Sequence, residues 1–388
     1  MRQWLIPALA AILLLNGCSW IKSWGDGDDA DAPAELVEFE PTLNVGKVWS
    51  TGIGKGLDKA GRQLRPVYSS GTLYAADYKG LLKAVDSNNG QMRWEIKTKL
   101  PFTGGPGISD NLLLMGTENG EVFAFDASTG TQLWSATVTS EVLAAPDEAD
   151  GIVVVRCIDG RVFGLDSDTG QRVWVYDHNV PLLTLRGNAP PLLRAGVAFV
   201  GYDGGQVVAL HIDDGTLMWE QSLVTIEGRT ELERLSDIDG QLVFIASDLL
   251  VSSYKNRLAS LAADSGRLLW FKDVSSASGV TVDRINLTLS DKDGNVWLLD
   301  RRNGAESWKN NQLLRRGLTR PVIYGSFVVV GDADGYLHWI NISNGQFAAR
   351  EKVGGKGFSG PPLVVGNTLY VMTKKGDLTA FRAGAALN

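Results

Sequence analysis

Apolar and polar residues alternate along most of this chain in runs of five or six, each closed by residues that favour turns. Gly120 to Trp134 shows the unit in full: a glycine, the alternating run EVFAFD, the turn ASTG, then TQLW. Trp134 stands fourteen positions after Gly120, and the same offset joins Gly80 to Trp94, Gly160 to Trp174, Gly205 to Trp219 and Gly294 to Trp308. Asn256 keeps that offset to Trp270, and asparagine, like glycine, tolerates positive φ. Short alternating runs bounded by Gly, Asn and Asp predict strands and hairpins. Beyond residue 17 helical periodicity of any length is missing, which excludes the helical solenoids of similar repeat length.

Each unit also carries an apolar strand ahead of its glycine, opened in turn by Pro66, Pro106, Pro146, Pro190, Pro321 and Pro361. Four short strands in every forty residues or so are the pattern of a β-propeller blade. The turn positions Gly80, Gly120, Gly160, Gly205, Asn256, Gly294, Gly335 and Gly376 number eight. The last two units are incomplete. Ala349 occupies the expected tryptophan position after Gly335, and after Gly376 the chain reaches Asn388 before any tryptophan strand. A strand of the missing kind stands at the other end, at Val48–Thr51 around Trp49. The expectation is an all-β chain. Residues 41–388 would form an eight-bladed β-propeller of four-stranded antiparallel blades, closed by the strand near Trp49. Such closure removes a pair of free sheet edges. The recurring tryptophans then read as wedges between neighbouring blades in preference to a sugar-binding array. Asp159, Asp203, Asp293 and Asp334, beside the turn glycines, read as turn formers in preference to calcium ligands.

The N-terminus follows a different pattern. Residues 1–17 read as a secretory signal, with Arg2 ahead of an apolar run, Leu5–Leu15, that is too short to span a bilayer. The run ends in Leu15-Asn16-Gly17-Cys18, which resembles the lipobox of bacterial lipoproteins, although Asn16 stands where a smaller residue is usual. That resemblance implies acylation of Cys18, and Ser19 in place of the aspartate of inner-membrane retention implies transport to the outer membrane. An ordinary cleaved signal with an incidental cysteine is the other reading. More than one acyl chain would make a stable anchor. Residues 18–40 are acidic and small, with Asp26, Asp28, Asp29 and Asp31, and read as a flexible tether. Its root-mean-square reach would be on the order of 25 Å.

Composition narrows the chemistry. The net charge of −7, with acids and bases interspersed, argues against a nucleic-acid surface. Of the two cysteines, acylation of Cys18 leaves Cys157 alone, and its apolar run VVVRCID reads as a buried position. His178, His211 and His338 lack metal-ligand spacing, and neither a phosphate loop nor a nucleophile motif is present. Catalytic, cofactor and metal residues are therefore expected to be none.

Two places lengthen the repeat. Gly120 to Gly160 is 40 residues, Gly160 to Gly205 is 45, and Gly205 to Asn256 is 51. The extra residues fall around 177–191 and 226–240, in adjacent units. Insertions in a propeller lie in loops on one face, where binding residues gather. Leu182, Leu183 and Leu185 beside Arg186 in the first, and Glu231, Glu233, Arg234, Asp237 and Asp239 in the second, have the composition of a protein-binding spot. The leucines could instead fold down as a plug between blades.

The repeat Ala-x-Asp-x-x-Thr-Gly-x-x-x-Trp, as at Ala124–Trp134, resembles that of the quinoprotein propellers. Its enzymes hold a quinone and calcium, so a periplasmic quinoprotein dehydrogenase or ligand-binding propeller is the alternative reading. Many of them also carry an adjacent cysteine pair that is missing from this chain. The whole pattern of lipobox, tether and eight blades is similar to the BamB family, lipoproteins of the outer-membrane β-barrel assembly machinery. The most specific stretches are Pro181–Gly187, Arg234–Asp239 and Gly331–Asn341. The resemblance implies a non-enzymatic, lipid-anchored subunit facing the periplasm that docks on a POTRA domain of the central barrel protein. Carried over by position, the contact residues are Leu183, Leu185, Arg186, Asp237 and Asp239. Unfolded outer-membrane precursors, paired to a strand edge, are a further expected partner.

Overall fold

The computed structural model describes residues 32–57, 63–180, 189–223, 237–254, 257–276 and 278–386. Regular structure among them is all strand. Eight sheets form the expected ring, each antiparallel in order from an inner to an outer strand. Blade one is typical: Val67–Ser69 inside, then Thr72–Ala76, Leu81–Asp86 and, at the rim, Met92–Lys97. The three-residue inner strands of blades three to eight begin at Asp147, Leu192, Val243, Val280, Val322 and Leu363, and each touches the next around the axis. In blade two the inner strand is longer, Phe102–Ser109, and the short strand Gln63–Leu64 adds to it in parallel.

Burial departs from simple alternation in the middle of each blade. Every residue of Thr72–Ala76 is buried, because a middle strand packs against a neighbouring blade on both of its faces. The rim strands alternate: in Gln132–Thr137 Trp134 is buried between exposed neighbours. Core clusters are accordingly shared between blades. Leu114, Val122 and Trp134 of blade two pack with Val153, Val155 and Phe163 of blade three. Cys157 joins the same cluster, and burial pushes its thiol pKa up to about 12, so it is the inert core residue expected.

The repeated tryptophan and the Asp-x-x-Thr-Gly turn form one interlock. Trp134 Nε1 donates to the carbonyl of Ser167 in the next blade at 2.7 Å, and its ring lies on bare Gly170. A Cβ on Gly170 would sit 2.5 Å from that ring, and its φ is +70°. Asp166 holds the turn in place by accepting from the Thr169 backbone N–H and hydroxyl. Equivalent indole bonds run from Trp49 to Ser87, Trp94 to Ala127, Trp174 to Ile212, Trp219 to Ala263 and Trp308 to Ile342. Trp270 makes the ring contact, with Gly304, but its Nε1 has no hydrogen-bond partner. The other repeated glycine also bears out its expected turn role: Gly80, Gly120, Gly160, Gly205, Gly294, Gly335 and Gly376 have φ between +74° and +93°. Asn256 lies outside the described residues.

Closure is as expected but more extensive. Leu43–Gly52 pairs with Asp377–Ala386, and Trp49 stands opposite Ala380 just as Trp134 stands opposite Ala124. Blade seven, which lacks the rim tryptophan, has the same pair exchanged: Ala349 at the rim faces Trp339 on the third strand. The small Ala348 and Ala349 leave room for Leu43, which is buried against them, Trp339 and Phe381.

Residues 32–40, expected as the end of the tether, lie along blade seven. Ala34 N–H donates to Leu314 O, Arg316 Nη1 donates to Ala34 O, and Arg350 Nη1 donates to Val37 O. Phe39 stacks on Phe347 with ring centroids 5.4 Å apart, beneath the Arg350 guanidinium. The boundary expected at residue 40 therefore falls inside a docked segment. Behind it Arg316 Nε and His338 Nε2 converge on Asp332, at 2.8 and 3.1 Å. Arginine can only donate, so the Arg350 Nε contact to His338 Nδ1 makes Nδ1 the acceptor and places the proton of the neutral ring on Nε2. Burial lowers the His338 pKa, which keeps the ring neutral.

Candidate functional site

The two lengthened loops leave the ring at adjacent blades, and their bases meet. Ala189, which ends the first, shares a core cluster with Ile238 from the second and with Leu223. Ile238 N–H donates to Tyr202 O, and Tyr254 N–H to Asp237 O. Gly201 meets this packing without a side chain: a Cβ there would sit 2.5 Å from Ile238 Cγ2.

A charged cluster lies under the same bases. Arg156 Nη2 pairs with Asp203 at 3.2 Å, both side chains being almost fully buried. The Arg156 guanidinium also lies 5.5 Å from the centre of the Tyr202 ring, which packs on His178 at 4.0 Å between centroids. Asp237 is 1% exposed, and its carboxylate accepts from the Gly204 backbone N–H at 3.1 Å. Asp239 stands beside it, partly buried, with its pKa pushed up to about 7 by burial and by the charges of Asp237 and Asp203. Burial raises the Asp203 pKa as well, against the opposing pull of Arg156. Burial, with Arg156 in support, lowers that of His178.

Oxygens of Asp203, Asp237 and Asp239 lie within 4.8 Å of one another. Arg156 and the proton that Asp239 takes up near neutrality balance much of this charge, so the cluster is accounted for as support for the loops.

Of the residues expected at a partner contact, Leu183, Leu185 and Arg186 lie outside the described residues, as does Cys18. Asp237 and Asp239 are described, and both face inward. Asp237 in particular holds the loop base from below: a carboxylate this buried and hydrogen-bonded offers no charge to a partner. Asp203, which the repeat marks only as a turn former, also departs from that role. Asp159 accepts from the Arg161 N–H within its own turn, whereas Asp203 reaches Arg156 in the preceding blade. Sequence position alone cannot separate the two, because the partner lies 47 residues away. Arg156 was legible only as a lone charge inside the apolar run VVVRC.

Comparison with known proteins places this geometry. A family model described as outer membrane protein assembly factor BamB matches residues 78–310. An outer membrane protein assembly factor BamB from Xanthomonas campestris pv. campestris is 44% identical over 383 residues, covering 95% of this chain and 94% of that protein. The crystal structure of BamB from Moraxella catarrhalis superimposes with a TM-score of 0.80 at 30% identity, over 87% of this chain and 100% of that one. A europium-containing methanol dehydrogenase shares the fold, with a TM-score of 0.70 at 13% identity over 87% of this chain and 93% of the other. That likeness concerns the fold alone. With family match, near full-length identity and superposition in agreement, the chain belongs to the family of the outer membrane protein assembly factor BamB.

Proposed function

We propose that this propeller is a non-enzymatic scaffold subunit in the assembly of outer-membrane β-barrel proteins. It would be held by lipid on Cys18 at the periplasmic side of the outer membrane. Its docking element is the pair of lengthened loops, which receives a periplasmic POTRA domain of the central barrel protein. The observation that carries this reading is the common root of both loops, with Ala189 and Ile238 in one buried cluster over the Arg156–Asp203 pair. A rigid base of this kind lets apolar loop tips bind without a large ordering cost. Leu183, Leu185 and Arg186 supply the anchors, while Asp237 and Asp239 fix the geometry from beneath. Apolar residues on successive rim strands, among them Leu133, Val173, Met218 and Leu269, offer a second surface to unfolded precursors.

The docking assignment is tested by Arg186→Glu in the full chain. Co-purification with the barrel protein should fall by about 2 kcal/mol of binding free energy or more, the scale of an interface hot spot. Tryptophan fluorescence and the melting temperature should stay as they are. Undiminished capture of the barrel protein by this variant would overturn the assignment.

A further inference from the structure

A cavity lies between blades four and five, on the face opposite the two lengthened loops. In a four-stranded antiparallel blade the first and third turns share one face, and the connections between blades leave from the other. The cavity, of about 540 Å³, sits among first and third turns and is walled by Val197, Phe199, Met218, Phe244 and Leu269. A largely apolar lining and a volume within about 300–1,000 Å³ are usual for small-molecule sites.

The sequence opens this joint. Asp86, Asp126, Asp166 and Asp300 each stand eight positions before a rim tryptophan, at the third turn of their blades. Asp126 holds its turn by accepting from the Ser128 and Thr129 backbone N–H groups. Blade five has Ala262 at that position. Likewise Ser70, Asp110 and Asp150 take the left-handed position of the first turn in blades one to three. Blades four and five have Ala195 and Ala246 there, with φ of +53° and +57°. Three alanines therefore line the cavity where blades one to three carry polar side chains. Alanine cannot accept the turn's hydrogen bonds and is strained in the left-handed region, so the turns themselves gain nothing from it.

The floor is aromatic. The Phe199 and Phe244 rings, one from each blade, stack with centroids 6.2 Å apart, and Phe199 lies 5.9 Å from Trp219. Met218 and Leu269 are 39% and 40% exposed at the mouth, so a ligand would cover apolar surface that the fold leaves in water. Both also belong to the rim surface offered to unfolded precursors, but the cavity has its own floor and charges and does not rest on that reading. Among the described residues the mouth carries Arg194 and Arg267 against Asp264, all three exposed. The Arg194 guanidinium stands 5.9 Å from the centre of the Phe244 ring, which holds a cation beside the aromatic floor. A guanidinium fork matches the two oxygens of a carboxylate.

We propose that the cavity between blades four and five binds a small amphipathic monocarboxylate, its apolar body on Phe199 and Phe244 and its carboxylate on Arg194.

The test uses the full-length chain, titrated with naphthoate and separately with octanoate, against the uncharged naphthamide. Calorimetry and the melting temperature are the readouts. Saturable binding of a carboxylate is expected, with a rise in melting temperature. Arg194→Gln should weaken it about tenfold or more, the scale of a lost hydrogen bond to a charged group. Ala262→Asp gives blade five the turn residue of blades one to three, so the ring stays folded. It also puts a carboxylate in the cavity and should abolish binding. A response to naphthoate alone assigns an aromatic acid, a response to octanoate alone an aliphatic one, and a response to both the shared class. Absence of saturable binding to either acid overturns the proposal, as does equal affinity for the amide or undiminished binding in either variant.

Discussion

At the scale of single residues, the interlock of tryptophan with the glycine of the next blade gives the ring its most repeated joint. Gly170→Ala should cost about 2–4 kcal/mol, from left-handed backbone strain together with overpacking against Trp134. Gly196→Ala is the matched control. Its φ is +76°, but nothing lies within 4 Å of an added Cβ, so only the backbone cost of about 1–2 kcal/mol applies. Urea midpoints for the two variants separate the terms, and equal midpoints would remove the interlock as a source of stability. Asp239 sets a pH dependence. Its pKa in the folded state is about 7, against an ordinary 3.8, so the folded chain holds a proton that the unfolded chain releases between those values. The contribution to stability is full below the lower value and is lost as pH rises through the upper one. Asp147, raised by burial to about 6, acts in the same direction. The melting temperature should therefore fall between about pH 4 and about pH 7. Asp239→Asn should flatten that fall, and an unchanged slope would show that Asp239 does not titrate in this range.

At the scale of elements, the N-terminal segment is more than a tether. Arg316 spans Asp332, Asp334 and the Ala34 carbonyl, so it bolts residues 32–40 to blade seven. Arg316→Met leaves Asp332 buried beside His338 without its main partner, and should free the segment first. Hydrogen exchange at residues 34–42 should then accelerate while the Trp49 strand stays protected. Equal protection in variant and wild type would show that the aromatic stack of Phe39 on Phe347 suffices. The start of the closing strand also accounts for the missing rim tryptophan of blade seven. The Ala349 substitution that reads as a defect in the repeat is where Leu43 enters.

At the scale of the whole molecule, the ring is a rigid support for two loops, and this separates docking from folding. Asp237→Arg would bury a second guanidinium beside Arg156 and remove the acceptor of the Gly204 N–H, so it should destabilise the fold by about 3–5 kcal/mol. Arg186→Glu should leave stability unchanged while reducing capture of the barrel protein. A folded Asp237→Arg chain with a normal melting temperature would place that carboxylate outside the supporting cluster. Most of the architecture was legible in advance, because a propeller repeats one local solution. The fourteen-residue offset from Gly120 to Trp134 counts the blades, and the strand at Trp49 supplies what the last blade lacks.

The amino-acid sequence by itself determined the strands, the blade count, the closing partner and the location of the two loops. Each depends on residues close in the chain or on a period that recurs. Only the tertiary structure decided that Asp203 pairs with Arg156, that Asp237 faces inward, and that Phe199 stacks on Phe244. In each case the partners come from different blades, across sequence separations that no local pattern records. A charged residue in a turn reads alike whether it caps that turn or reaches into the next blade, and only the space around it makes the distinction.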